Sequence, residues 1–258
     1  MIYDKLTVAL LGALSTERQD SANAHIARYL LRHQSELGGL SVKRIAASCN
    51  VGVGSVSRFC RDVGFGSFDE LRREFCSSAR RFEGVGEGGS ARERATRYCE
   101  AVSSALGRVA ASVDYDALDR LVTDLTSYAR VSAYGMLKAQ AAAVDLQTDL
   151  LMQGTYVETC VNHAEQLRRI AEARRDELVV VFSYTGSYFD SRDLTESMRR
   201  VDRPKVWVVC GMRHRLPAFV SDRLLFESSG TQLGHPYQLE LVAGIIAQEF
   251  AHRRARGE

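Results

Sequence analysis

The sequence predicts two domains, α followed by α/β: an all-helical N-terminal part containing a helix-turn-helix, then a doubly wound α/β domain on a five-stranded parallel sheet. Three observations carry this expectation. Apolar residues between 42 and 61 recur at helical spacing on both sides of a tight turn. Residues 84–90, GVGEGGS, are Gly-rich and nearly devoid of apolar side chains, as at a domain boundary. Beyond them, candidate strands and helices alternate to the C-terminus, the signature of a parallel sheet with helices on both faces.

The N-terminal elements follow in order. The apolar run at residues 6–14 is far short of the ~20 residues that span a bilayer, so it reads as a packing helix. Ser21 can cap a helix bearing Ile26, Tyr29 and Leu30, and Gly38-Gly39 ends it. Ser41 caps the next helix, 42–49, in which Ile45 and Cys49 share a face. Asn50 tolerates the left-handed conformation that stops a helix. A second helix, 54–63, buries Val56 and Phe59 and is stopped by Gly64. Ser67 can cap a further helix, with Glu70 at capping-box spacing.

Left facing outward are Ser55, Ser57, Arg58 and Arg61 on the second helix and Lys43 and Arg44 on the first. Short hydroxyls and guanidinium forks on an exposed helix suit a DNA major groove, and basic residues on the preceding helix suit the phosphate backbone. A plain helical hairpin with solvated charges is the alternative reading of these residues.

Charge agrees with the first reading. The 258-residue chain has a net charge of only +2. Residues 1–81 hold 12 Lys/Arg against 8 Asp/Glu, a net of +4, and the remainder has a net of −2. The N-terminal part is therefore the expected polyanion binder. The six cysteines form no CxxC and no Cys/His cluster, which points to buried thiols in a reducing, cytoplasmic setting and predicts no metal. The N-terminus lacks the basic region of a signal peptide, and no membrane partner is expected.

In the second half, residues 91–130 read as mostly helical. Candidate strands lie at 131–134, 156–160, 178–183, 206–210 and 223–226, with helices at 139–152, 164–173, 190–200 and 238–253. The continuously apolar LVVVF and VWVVC runs suit strands buried on both faces. Ligands in such sheets bind beyond the C-terminal strand ends, here near Gly135–Lys138, Ser183–Ser187 and Cys210–Arg213.

Residues 1–80 resemble the N-terminal domain of RpiR-family transcriptional regulators. The matching positions are Val51, Ser55, Arg58, Phe59, Gly64, Phe65, Phe68, Glu70 and Leu71, with Gly52 where the family has Ser. Residues 93–258 resemble the sugar isomerase (SIS) domain of that family, with 81–92 as linker. The resemblance implies a dimerising domain that binds a phosphosugar. Ser183, Thr185 and Gly186 match its phosphate loop, and Tyr188 replaces a Thr. In the loop after the first strand only Gly135 survives, with Leu137 and Lys138 in place of Gly and Ser, and Cys210 replaces a strand-end Thr. The effector residues implied are Gly135, Lys138, Ser183, Tyr184, Thr185, Gly186, Ser187, Tyr188 and His235, with His214 near the same end.

The expected function is a DNA-binding transcriptional regulator. It acts as a homodimer or higher oligomer on a pseudo-palindromic operator and senses a small phosphosugar-like metabolite. Two other readings stay open: a constitutive DNA-binding dimer with a defunct pocket, and a sugar-phosphate isomerase using His235, Glu240 or Glu249 as acid/base. No nucleophilic triad, P-loop or dinucleotide fingerprint is present, so no enzyme and no cofactor are expected.

Overall fold

The computed structural model describes residues 5–77, 84–86, 88–189, 192–211 and 215–256, which divide into two compact units with the boundary between residues 81 and 82, apart from residues 161–166, which cluster with the first. The expected linker, 81–92, lies partly outside the described residues.

The N-terminal unit is helical: α1 (Lys5–Thr16), α2 (Ala22–Arg32), a 3₁₀ stretch (Gln34–Gly39), α3 (Val42–Ser48), α4 (Val53–Asp62) and α5 (Phe68–Ser77). The hydroxyl of Ser21 accepts from the Ala24 amide at 3.1 Å, and that of Ser41 accepts from the Arg44 amide at 3.2 Å. Ser67 accepts from the Glu70 amide at 3.2 Å, and the Glu70 carboxylate reaches back to the Gly66 amide at 2.8 Å, one residue beyond a true capping box.

Both helices of the motif end in the same way. Asn50 has φ 54° and Gly64 has φ 88°. The Asn50 and Val51 amides donate to the carbonyls of Ala47 (3.3 Å) and Ala46 (3.0 Å). Those of Gly64 and Phe65 donate to Arg61 (3.0 Å) and Cys60 (2.8 Å). Each is a Schellman stop, which satisfies orphan carbonyls and turns the next residue inward. Val51 and Phe65 accordingly pack on a core of Ile26, Leu30, Ile45, Val56, Phe59 and Leu71. α4 has no side-chain cap at Gly52, as the missing Ser requires.

The second unit contains α6 (Ala91–Ser112), α7 (Tyr115–Ser127), β1 (Arg130–Gly135), α8 (Lys138–Met152), β2 (Val157–Glu158), α9 (His163–Glu172), β3 (Glu177–Phe182), α10 (Arg192–Ser197), β4 (Lys205–Cys210), β5 (Asp222–Leu225) and α11 (His235–Arg256). All strand pairs are parallel, in the order β2-β1-β3-β4-β5. Side chains alternate between two cores. Leu178, Val180, Phe182, Trp207 and Val209 face a cluster with α7, α8 and α11, whereas Val179, Val181, Val206, Val208 and Cys210 face one with residues of α9 and α10. Burial on both faces explains why these strands read as unbroken apolar runs.

Three elements differ from expectation. The strand expected at 156–160 shrinks to Val157–Glu158, because only two residues register with β1. The helix expected at 190–200 is confined to Arg192–Ser197, preceded by a 3₁₀ turn at Ser187–Phe189. The last helix begins three residues earlier than expected, at His235, with Pro236 in its first turn, where no amide hydrogen is needed. Among the described residues no helix is long and apolar enough to cross a membrane.

The exposed left-handed residue between the two motif helices gives a clean stability test. Asn50→Gly is expected to raise the stability of the N-terminal unit by ~0.5 kcal/mol, and Asn50→Val to lower it by ~1 kcal/mol or more. Thermal denaturation of the full chain, followed by far-UV circular dichroism, reads both signs.

Candidate DNA-reading and effector sites

On the helical unit, Val56, Phe59 and Cys60 hold α4 to the core, and the opposite face is left to solvent. Ser57, Arg58 and Arg61 are exposed there, as are Lys43 and Arg44 on α3. Arg44 lies 3.9 Å from the Glu36 carboxylate, both well exposed, so the pair is weak and separable. Ser57 donates its hydroxyl to the Val53 carbonyl at 3.4 Å. Ser55 is only half-exposed, sitting over the front of the helix, where its Oγ is 4.0 Å from the place a Cβ of residue 52 would occupy. An exposed apolar side chain, Val53, opens the same face, and sequence reasoning missed it. Its only signal was its place just inside the start of the helix.

On the sheet domain, the strand order reverses between β1 and β3, so their C-terminal ends meet at a topological switch point. Gly135 pairs with Phe182 in register. The loop after β1 is tight: a Cβ on Gly135 would lie 2.5 Å from the Ala139 carbonyl oxygen. The Gly135 amide donates to Gln140 Oε1 at 3.2 Å, and Gln140 donates to Thr159 Oγ1 at 2.8 Å. Leu137 adopts φ 52°, ψ −117°, a glycine conformation. A leucine held in this conformation stores a strain of order 1–3 kcal/mol.

After β3, the Ser183 amide continues the sheet to the Val209 carbonyl at 2.9 Å, and the Gly186 amide (φ 78°) closes a turn on the Ser183 carbonyl at 2.9 Å. Ser183 is buried and Thr185 half-buried. Tyr184 is buried, with its hydroxyl donating to Gln238 Oε1 at 2.9 Å and lying 3.0 Å from Ser229 Oγ. Gln238, fully buried on α11, also accepts from the Ser229 amide and donates to the carbonyls of Ala105 and Glu227. Neither Gln140 nor Gln238 was foreseen, because a glutamine on a helix gives no sequence cue that it faces inward. Tyr188 is buried in the α9–α10 core beside Phe189, ring centroids 4.9 Å apart. It packs there instead of taking the position of a loop hydroxyl. The Ser187 side chain and His214 lie outside the described residues.

Lys138 on α8 and His235 on α11 lie within electrostatic reach of each other. The His235 ring stacks edge-on against Tyr184 with centroids 4.3 Å apart. Burial, with the Lys138 charge adding to it, pushes the His235 imidazole down to about 4, so it is neutral above that pH. Of the acid/base candidates, Glu240 is half-buried, its carboxyl pushed up by desolvation and by Asp145, while Glu249 lies 4.0 Å from Arg253, one helical turn on. A cleft of about 900 Å³ lies near the opposite strand ends, lined by Arg130, Glu158, Arg169, Glu177 and Arg254 among others. None of the anticipated effector residues lines it.

Two measurements test this geometry. Gly135→Ala is expected to cost about 2–3 kcal/mol or to prevent folding of the sheet domain, since the obstacle is backbone; urea denaturation reads the loss. His235 has a folded pKa below its unfolded value, so its contribution is intact above pH ~6.5 and is lost as pH falls through about 4. In His235→Gln, the fall in stability between those pH values should be shallower by up to about 3 kcal/mol.

Comparison with known proteins agrees with both halves. Residues 13–79 match the helix-turn-helix domain of the rpiR family. No curated protein matches the chain in sequence. Among solved structures, the Vibrio vulnificus NanR protein complexed with ManNAc-6P is similar over 97% of this chain and 93% of its own, at 13% identity and a TM-score of 0.55. The Escherichia coli CFT073 protein c3406, solved as a ligand complex, covers 63% of this chain and 90% of its own, at 14% identity and a TM-score of 0.54. A candidate sugar-phosphate isomerase of Listeria monocytogenes covers 65% and 94%, at 9% identity and a TM-score of 0.54. At these identities the likeness establishes the fold alone. Residues 13–79 are therefore an rpiR-family helix-turn-helix domain, followed by an α/β domain on a five-stranded all-parallel sheet whose fold these solved structures share.

Proposed function

We propose that this chain is a metabolite-responsive transcriptional regulator and not an enzyme. In this reading, a homodimer or higher oligomer sets two copies of α4 in successive major grooves of a pseudo-palindromic operator. The sheet domain, joined through residues 81–92, binds a small anionic, phosphosugar-like effector where the ends of β1 and β3 meet the start of α11. The observation that carries the reading is the exposed Ser57–Arg58–Arg61 face of α4 in a domain of the rpiR family. For the effector, support comes from Lys138 beside His235 at the switch point and from NanR having been solved with ManNAc-6P. The ligand acts as a switch only by favouring one arrangement of the DNA-binding heads over another.

The second reading, a constitutive DNA-binding dimer, is favoured by a specific observation. The Tyr184 hydroxyl and the Gly135 amide, two groups near the expected pocket, are already hydrogen-bonded to Gln238 and Gln140.

Fluorescence anisotropy on intergenic DNA flanking the chain's own gene tests the first half. Arg58→Ala is expected to weaken binding about tenfold at matched salt. Equal binding by both proteins would overturn the assignment of α4. Thermal-shift titration with ManNAc-6P, other hexose phosphates and inorganic phosphate tests the second half. A shift lost in Lys138→Ala supports the effector reading, and no shift with any of them supports the constitutive dimer.

A further inference from the structure

The front of α4 has an unusual composition for a helix that reads DNA. Its N-cap and first two helical positions are Gly52, Val53 and Gly54, none able to offer a side-chain hydrogen bond. All three are exposed, and a Cβ on Gly54 would meet nothing within 4 Å. Between the glycines Val53 is 48% exposed, although the other apolar residues of the helix, Val56, Phe59 and Cys60, are fully buried. A single exposed valine is ordinary on a protein surface. This one stands on the reading face, on the same ridge as Ser57 and Arg61 at four-residue spacing, and at the helix end that enters the groove first.

The major groove offers few partners to a short branched apolar side chain. Guanine, adenine and cytosine present hydrogen-bonding edges, and thymine alone adds a C5-methyl group. Desolvating Val53 against a guanine or adenine edge would leave polar atoms unpaired, which is unfavourable. Against the methyl it removes apolar surface on both partners from water. The flanking glycines matter for reach. Valine extends only two bonds past its backbone, so it touches a base only where the helix end comes close, and side chains at 52 or 54 would hold that end away.

We propose that Val53 is a sequence-reading residue, seated against the 5-methyl group of a thymine in each half-site, with Gly52 and Gly54 permitting the close approach. The proposal rests on the DNA-binding reading above and specifies what the leading turn of α4 recognises. It divides the helix into an apolar reader at the front and polar readers, Ser57, Arg58 and Arg61, behind it.

Deoxyuridine, which lacks only the methyl group, isolates the contact. The probe is a duplex selected by the full-length protein from a random-sequence pool, with each thymine then replaced singly by deoxyuridine. One replacement per half-site is expected to weaken wild-type binding about fourfold. Val53→Ala, which loses the contact in both half-sites, should bind the unmodified duplex about sixteenfold more weakly and lose nothing further at that replacement, with the salt dependence unchanged because no phosphate contact is removed. Arg58→Ala should keep the fourfold sensitivity. Wild-type binding indifferent to every replacement, or Val53→Ala as sensitive as wild type, overturns the proposal while leaving DNA binding intact. If the pool yields no enriched duplex, the DNA-binding reading falls and this proposal with it.

Discussion

The burial of β3 on both faces is the constraint from which the sheet domain follows. Leu178, Val179, Val180, Val181 and Phe182 are all inaccessible to solvent, so neither face of the strand tolerates water. Its backbone groups pair with β1 on one side and β4 on the other, and its side chains need an apolar layer on each face. Helices must therefore pack both above and below, and each parallel crossover must carry the chain back across one face. With β1 and β3 adjacent and β2 beyond β1, the connections after β1 and β3 leave the same edge in opposite directions. The place where Gly135–Lys138 faces Ser183–Gly186 is thus a consequence of core packing, available to function because the core was built that way.

In the helical unit the corresponding constraint is local. Two short helices can present a reading face only if the chain reverses sharply between and after them, and both reversals use a left-handed residue with a Schellman pair of hydrogen bonds. Each sends the following residue, Val51 or Phe65, back to the common core. The orientation of α4 therefore depends on Asn50 and Gly64 more than on any contact along its outer face. That outer face is free to carry Gly, Val, Ser and Arg at no cost to packing.

These dependencies explain what could be read in advance. The caps at Ser21 and Ser41, the stops at Asn50 and Gly64 and the five strand positions rest on local chemistry or on period, both visible in sequence. The site was legible only as a neighbourhood. Ser183, Thr185 and Gly186 form the turn expected of them, but Tyr188, six residues past Phe182, turns into the α9–α10 core, a direction set by the 3₁₀ turn at Ser187–Phe189. Gln238 satisfies Tyr184, the Ser229 amide and the carbonyls of Ala105 and Glu227, a relation with no local trace. Val53 escaped notice because the expected helix began at residue 54 and left it in the turn, whereas α4 begins at Val53 and exposes it.

The electrostatics near Lys138 tie the proposed effector to proton binding. The exposed Lys138 ammonium helps hold the buried His235 imidazole neutral. An anion seated at Lys138 would cancel part of that field and raise the affinity of His235 for a proton. By linkage, protonation of His235 must then strengthen anion binding by the same factor. The coupling is felt where His235 begins to titrate, which burial, with the Lys138 charge adding to it, keeps well below its ordinary value. In the proposed reading, then, an effector near neutral pH would meet His235 as an uncharged ring packed against Tyr184, and Lys138 would supply the charge.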